Sequence, residues 1–426
     1  MAAHVSQLLA RLRRDPFADL PIGDQLNQLL EEQKVVWRDR LLTPLVTLRL
    51  FLIQVAHGNC AIAALRQLGG IAFAPSSYCE ARARLPLQLL QSLLSWMHEL
   101  GEQSAATAAA TGARWARRIL ILDGSSYSTA DTPELAARFP LPQQSRAGVA
   151  YPMGKLMGLL DATTGMFLSL LALPLFEHDV RCGIGLHPML RAGDILLGDR
   201  AFCSFAHFAL LQARGVLACM RLHQARKDQT HGRRLWTKPR QGPTWMEEAQ
   251  YASLPQSLEV RIVQYTVAHK GFRSRKVLIA TTLMNQVIWP DAKVAELYGH
   301  RWQIETCFDH LKTTMKMNVL RCKTLDGVMK ELAIYLVVYN LIRLVMLKAA
   351  GAQHVEVRRI SFIDAMRLVA ARMIGLDGVE RLIVNPDRAG RCQLRVLRGR
   401  PKAYDWLLVP RRQKEAEIAR KQAEVC

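Results

Sequence analysis

Residues 298–312, YGHRWQIETCFDHLK, carry the side chains best suited to work on a phosphodiester: one acid, Glu305, two bases, Arg301 and Lys312, and a phenol, Tyr298. On a continuous α-helix at about 100° per residue, Arg301, Glu305 and Lys312 fall about 60°, 20° and 40° to one side of Tyr298, so the spacing predicts one shared face. Asp309, about 20° from Tyr298, reads as a spare acid and salt-bridge partner, and Trp302 lies about 40° to the other side. The plain alternative is a solvated face with i,i+4 pairing between Arg301 and Glu305.

Two further acids end apolar runs, Asp123 in RRILILDGSSYS and Asp199 in GDILLGDRAF. Ligands of open α/β sheets sit just beyond strand carboxyl ends, and in a hairpin-then-crossover order the first and fourth strands can be neighbours. Glu305, from a later helix over the same edge, would add a third carboxylate. Three convergent carboxylates repel one another, and two Mg²⁺ ions about 4 Å apart are the usual remedy in phosphoryl transfer, with Mn²⁺ as the expected substitute. Arg301 and Lys312 would then grip phosphates. Singly, each acid has a simpler reading: Asp123 in DGSS and Asp161 in DATTG suit Asx turns, and Asp199 can cap the helix that follows.

The elements that must position these residues can be read coarsely. LVTLRLFLIQVAHGNCAIAALRQLGG and SSYCEARARLPLQLLQSLLSWM read as two or three helices, whose Arg49, Arg66, Arg82 and Arg84 suit either DNA contact or the outer face of a bundle. SAATAAATGA follows as a linker or frayed helix. From RRILILDG to VLACMRL the order is strand, strand, strand, helix, strand, helix, strand, a mixed sheet with helices on its faces. RKDQTHGRRLWTKPRQGPTW, LEVRIVQYTVA and RSRKVLIATTLM then mark a β-rich insertion. Its first stretch suits either a phosphate-tracking surface or a solvated loop. Helical periodicity returns through LAIYLVVYNLI, Leu332–Ile342, about half the roughly 20 residues that span a bilayer, hence a buried core helix.

Fifty-seven Lys and Arg against 36 Asp and Glu leave +21, with a pI near 10.0, which favours a polyanionic partner. The last forty residues hold eleven basic against five acidic, including RGRPK at 398–402, which suits a minor-groove hook or a general DNA contact. Nine cysteines lack CxxC pairs or Cys/His clusters at metal spacing and read as reduced packing residues. No secretory signal is apparent, so a cytoplasmic chain is expected.

LDGSS around Asp123, GDRAF around Asp199, and Tyr298-x2-Arg301-x3-Glu305-x6-Lys312 together resemble the three catalytic regions of the DDE transposases of the insertion-sequence-4 family. LLTPLVTLRLFLIQV, SSYCEARARL, ELAIYLVVYNLIR and RPKAYDWLLVPR extend the resemblance over nearly the whole chain. It implies a ribonuclease-H-like α/β core in two parts, 113–222 and 291–350, around a β-rich insertion at 223–290. A helical DNA-binding region at 1–112 and a C-terminal region with a basic tail at 351–426 complete it.

The resemblance makes Asp123, Asp199 and Glu305 the metal-binding catalytic triad, and Tyr298, Arg301 and Lys312 contacts to the DNA strand near the cut. Trp302 and Arg200 join them as DNA contacts, while Trp236, Trp245, Trp289 and Trp302 are all candidates for stacking on a flipped base. The implied function is binding of terminal inverted repeats, cleavage of the element ends and joining of 3′-hydroxyls to target DNA. The chain would act as a homodimer on DNA and associate with the nucleoid. Two rivals remain, a catalytically silent DNA-binding derivative and a ribonuclease-H-like nuclease that cuts without joining.

Overall fold

The computed structural model describes residues 28–32, 37, 40–109, 117–140, 151–223, 230–267, 275–371, 384–385 and 420. The basic tail with RGRPK and most of the first forty residues lie outside them. Helices α1 (Pro44–Ala56), α2 (Ile62–Gly69), α3 (Pro75–Arg84) and α4 (Leu87–Ala109) come first. Thr43 caps α1 by accepting from Val46 N, with Pro44 in the first turn, and Gly70 closes α2 at φ 64, a conformation that favours glycine. Because α4 runs to Ala109, the front of the Ala-rich stretch is helix rather than linker.

Eight strands follow: β1 (Ile119–Ser128), β2 (Met153–Asp161), β3 (Phe167–Pro174), β4 (Ile195–Gly198), β5 (Leu217–Arg221), β6 (Gly232–Thr237), β7 (Ser257–Val267) and β8 (Arg275–Thr281). They form one sheet in the order β3-β2-β1-β4-β5-β8-β7-β6. Strands β1, β4 and β5 run parallel, while β1-β2-β3 is an antiparallel meander, the topology of a ribonuclease-H-like core. The insertion, read from sequence as β-rich, extends this sheet, because β8 pairs antiparallel with β5 through Cys219–Arg221. GRRLWT within it is strand β6, not a loop.

Alternate residues of the central strands enter different cores. Ile119 and Ile121 of β1 join Ile195, Leu197 and Cys219 in one cluster, while Leu120 and Leu122 join Leu196, Ala218 and Met220 in the other. A sheet covered on both faces needs apolar residues at every position, which is why ILIL shows no polar alternation. The second cluster is roofed by α6 (Asp179–Ile184) and α7 (Phe205–Ala213). The first is roofed by α4 and by α11 (Leu325–Ala352). By length and apolarity α11 could cross a membrane, yet it is buried, as the reading of LAIYLVVYNLI expects.

Polar groups on α11 fix the β2–β3 hairpin against it. Asn340 exchanges hydrogen bonds with the backbone of Phe167, Tyr339 donates to Gly165 O, and Arg343 donates twice to Thr164 O. Asp161 accepts from Thr163 N and Thr164 N, the Asx turn expected for DATTG. The N-terminal helices are docked rather than tethered: Leu48, Phe51, Leu52 and Val55 of α1 lie in the sheet's own cluster, and Leu50 and Ile53 in a small cluster with Leu65, Phe73 and Tyr78. Of the four arginines considered there, Arg49 is buried and Arg82 stacks over Phe51 and reaches Gln54 and Cys322, leaving Arg66 and Arg84 exposed. The seven cysteines at described positions are free thiols.

Candidate functional site

Pairing of β1 with β4 ends at Leu122↔Gly198, so Asp123 and Asp199 emerge side by side. The strand itself does not stop there. It continues to Ser128 on β2, with Asp123 opposite Gly158, so DGSS is strand rather than turn, and its β4-facing edge lies open until Ser128 bridges to Val319. Gly158 also lets Phe308 pack close to the strand, since a Cβ there would come to 3.0 Å from Phe308 and Phe167 and 2.9 Å from Leu170. Asp199 caps the short 3-10 turn Arg200–Phe202 by accepting from Arg200 N, the capping role read from sequence.

The YREK segment is not one helix. Helix α9 (Asp291–Gly299) and helix α10 (Trp302–Asp309) meet at His300–Arg301, and a π turn covers His310–Thr314. At the junction His300 N bonds Leu297 O, Arg301 N bonds Tyr298 O and Gln303 N bonds His300 O, all three-residue spans that tighten the winding. The π turn then loosens it, so uniform 100° steps do not describe the face.

Convergence survives for three of its four residues. Arg301 places Nη1 3.0 Å from Asp123 Oδ2 and Nη2 3.0 Å from Glu305 Oε1. Lys312 donates to Ser125 Oγ at 3.1 Å, on the open edge of β1. Tyr298 departs from the expected exposed face: it is buried, and its hydroxyl has no hydrogen-bond partner among the described residues. Trp302 is half-buried with the Arg301 guanidinium 4.4 Å from its ring centroid, and Arg200 is exposed. Trp236 and Trp289 are buried, which removes both as platforms for a flipped base and leaves Trp245 and Trp302. Asp309 accepts from Thr313 Oγ1.

Electrostatics are tense at this edge. Burial pushes the Asp123 carboxyl up to about 6, with Asp199 and Glu305 adding, against the opposing pull of Arg301 and the Gly124 N–H. Burial likewise holds the Lys312 ammonium below its ordinary range, with Asp309 opposing. Glu305 Oε2 and Asp199 Oδ2 keep no hydrogen bond among the described residues. A set of three carboxylates with spare oxygens and a desolvated Asp123 suits a hard divalent ion, so the residues fit the metal expected here.

The triad is nevertheless not drawn tight. Among the described residues, the group whose ligand atoms all lie within 4.8 Å of one another is His98, Glu102 and Asp161, elsewhere in the fold. Glu102 is taken by Arg191 and Arg118, and Asp161 by the hairpin turn, so that group reads as a structural link between α4 and the β2–β3 hairpin. Behind Asp199 lies a pair that spacing did not reveal. His207 Nδ1 lies 2.8 Å from Phe202 O, so it must donate; its Nε2 then accepts from His187 Nε2 at 3.1 Å. Both are buried under the Asp199–Phe202 turn, and a lone histidine in an apolar stretch gives no sequence signal of such a pairing.

Comparison with known proteins bears on this geometry. The sequence model of the family described as Transposase DDE domain matches residues 114–341, more than half of the chain. Among curated proteins, the chain is 24% identical over 367 residues to "Transposase InsG for insertion sequence element IS4" of Escherichia coli (strain K12), covering 78% of each. Among solved structures, it resembles a piggyBac transposase synaptic complex with hairpin DNA at 10% identity and a TM-score of 0.36. That match covers 62% of this chain, which spans about half (53%) of the other.

Proposed function

We propose, on the premise that this chain belongs to the transposase DDE-domain family and is a DNA transposase of the insertion-sequence-4 type, that Asp123, Asp199 and Glu305 form its catalytic centre. The reaction would be metal-dependent cleavage at the terminal inverted repeats of the element, followed by joining of the 3′-hydroxyls to target DNA. The observation that carries this reading is the meeting of all three acids at one open strand edge, with Arg301 touching two of them. Asp123, Asp199 and Glu305 would hold two Mg²⁺ ions there, whose chemistry would be activation of the attacking water or hydroxyl and stabilisation of the leaving oxygen.

The chain's own residues do the rest. Asp199, held by the Arg200 N–H on one oxygen, keeps the other for a metal ion. Lys312 and Arg301 offer charged donors to phosphate oxygens on either side of the scissile bond. Exposed Arg200 lies at the rim as a backbone contact, and Trp302 offers an aromatic face to an unstacked base. A net charge of +21 supports double-stranded DNA as the partner, bound with strong salt dependence.

The test is cleavage and strand transfer on a labelled duplex carrying the element's end, with Mg²⁺, comparing the parent with Glu305→Gln. Cleavage and joining should both fall by about 10²–10³-fold or more while duplex binding persists. Full activity in the variant would remove Glu305 from the centre. Cleavage without joining in the parent would favour a nuclease, and binding without either a silent DNA-binding protein.

A further inference from the structure

Arg301 stands where a cation has to go. Its side chain is 7% exposed, and its fork joins the first and third acids of the triad, Asp123 Oδ2 and Glu305 Oε1, at 3.0 Å each. A buried guanidinium with two carboxylates is a strong, geometrically defined pairing. It also answers the repulsion among three neighbouring acids without any other ion.

Asp123 has no oxygen to spare, since Oδ1 accepts from Gly124 N and Oδ2 from Arg301, so a divalent ion held between Asp123 and Glu305 would have to share oxygens with the fork. An ion about 2.1 Å from those oxygens would face a guanidinium in hydrogen-bond contact with them, two like charges within roughly 4 Å. The two cations therefore compete for Asp123, each weakening the hold on the other. The spread of the triad agrees, since its oxygens are not gathered within the 4.8 Å that the His98 group achieves.

Arg301 is also poised to move. It lies at the junction between α9 and α10, its Nε is buried without a hydrogen-bond partner among the described residues, and its guanidinium stacks 4.4 Å from the Trp302 ring centroid. A DNA phosphate offers the same bidentate geometry to the same fork.

We propose that Arg301 is the resident counter-ion of this site, excluding a divalent ion from the Asp123–Glu305 pair until a DNA phosphate draws the guanidinium away. Metal loading and DNA binding are then positively coupled through one side chain, and by linkage each tightens the other. This rests on the reading of the three acids as the metal site.

The experiment titrates Mn²⁺ into the full chain without DNA, by calorimetry and by the spin-resonance signal of free Mn²⁺. Parent, Arg301→Gln, Arg301→Lys and Glu305→Gln are compared, each checked for fold by circular dichroism. Arg301→Gln should bind Mn²⁺ about tenfold or more tightly than the parent. Arg301→Lys, which keeps the charge and loses the fork, should fall between them, and Glu305→Gln should lose binding. A fluorescent duplex should bind the parent several-fold more tightly when Ca²⁺ is added, and Arg301→Gln without that gain.

If Glu305→Gln loses Mn²⁺ while Arg301→Gln binds no tighter than the parent, the counter-ion role is wrong and the metal site stands. If Glu305→Gln binds Mn²⁺ as the parent does, the metal-site reading itself fails. Should Arg301→Gln not fold, Arg301→Lys decides: affinity equal to the parent's overturns the proposal, and tighter binding supports it.

Discussion

The Tyr298 hydroxyl is buried, close enough to Asp199 and Arg301 to feel both, and without a hydrogen-bond partner among the described residues, and burial holds its phenol far above the ordinary tyrosine range. An unpaired buried hydroxyl costs stability, so Tyr298→Phe should leave the thermal midpoint unchanged or raise stability by up to about 1 kcal/mol. If DNA binding turns the hydroxyl toward a phosphate, the same variant should cleave several-fold more slowly. A melting curve and a cleavage time course read the two effects separately, and a clear loss of stability would show that a hidden partner exists. At this scale residue types and spacing are informative: they single out Asp123, Arg301 and Glu305, and the Arg301 fork bonds both acids. Spacing could not tell which of them would bond to each other. Arg301 pairing with Asp123 across 178 positions, and Lys312 with Ser125 across 187, are long-range contacts that local periodicity does not encode.

At the scale of elements, the segment bearing Glu305 is held from an unexpected side. Arg261 of β7, 1% exposed, donates to Leu283 O and Trp289 O and pairs with Asp291, the first residue of α9. His231, just before β6, bonds the same carboxylate. The insertion therefore anchors the start of the helix pair whose other end carries Glu305. Asp291→Ala would strand the buried Arg261 charge, and because Asp291 is itself 41% exposed the cost belongs at the lower end of such losses, about 3 kcal/mol. Denaturant unfolding measures it, and a loss below about 0.5 kcal/mol would mean the pair is not holding the helix. The strands were legible because apolar runs and turn signals are local. Their union into one eight-stranded sheet was not, since edge pairing between β5 and β8 joins residues some sixty positions apart. The break at His300–Arg301 was equally hidden, because both residues keep helical dihedrals and only the hydrogen-bond spans change.

For the whole molecule, three histidines are held neutral, His187 and His207 buried and His310 half-buried: desolvation pushes His187 down to about 3, and His207 and His310 to about 4. In the unfolded chain an imidazole titrates near 6.5. Between about pH 6.5 and 4 the unfolded chain therefore binds protons that the fold refuses, so the stability these groups contribute is complete above 6.5 and is lost as pH falls. Asp123, pushed up to about 6, acts in the opposite sense, losing its contribution as pH rises, but it is one group against three. The thermal midpoint should fall from pH 7 to pH 5, and His310→Phe, which keeps the stack on Phe362, should flatten that slope; a level midpoint in the parent would contradict it. What this amino-acid sequence determined alone was the inventory: charge, strand and helix segments, a family resemblance, and acids at the ends of apolar runs. Each depends on residue type and on neighbours a few positions away. Tertiary structure decided which oxygen faces which nitrogen, that the insertion completes the sheet, and that Tyr298 is sealed in while Arg301 bridges two acids. Those outcomes depend on burial and on contacts between distant segments, which appear only when two covered faces and one open strand edge are assembled together.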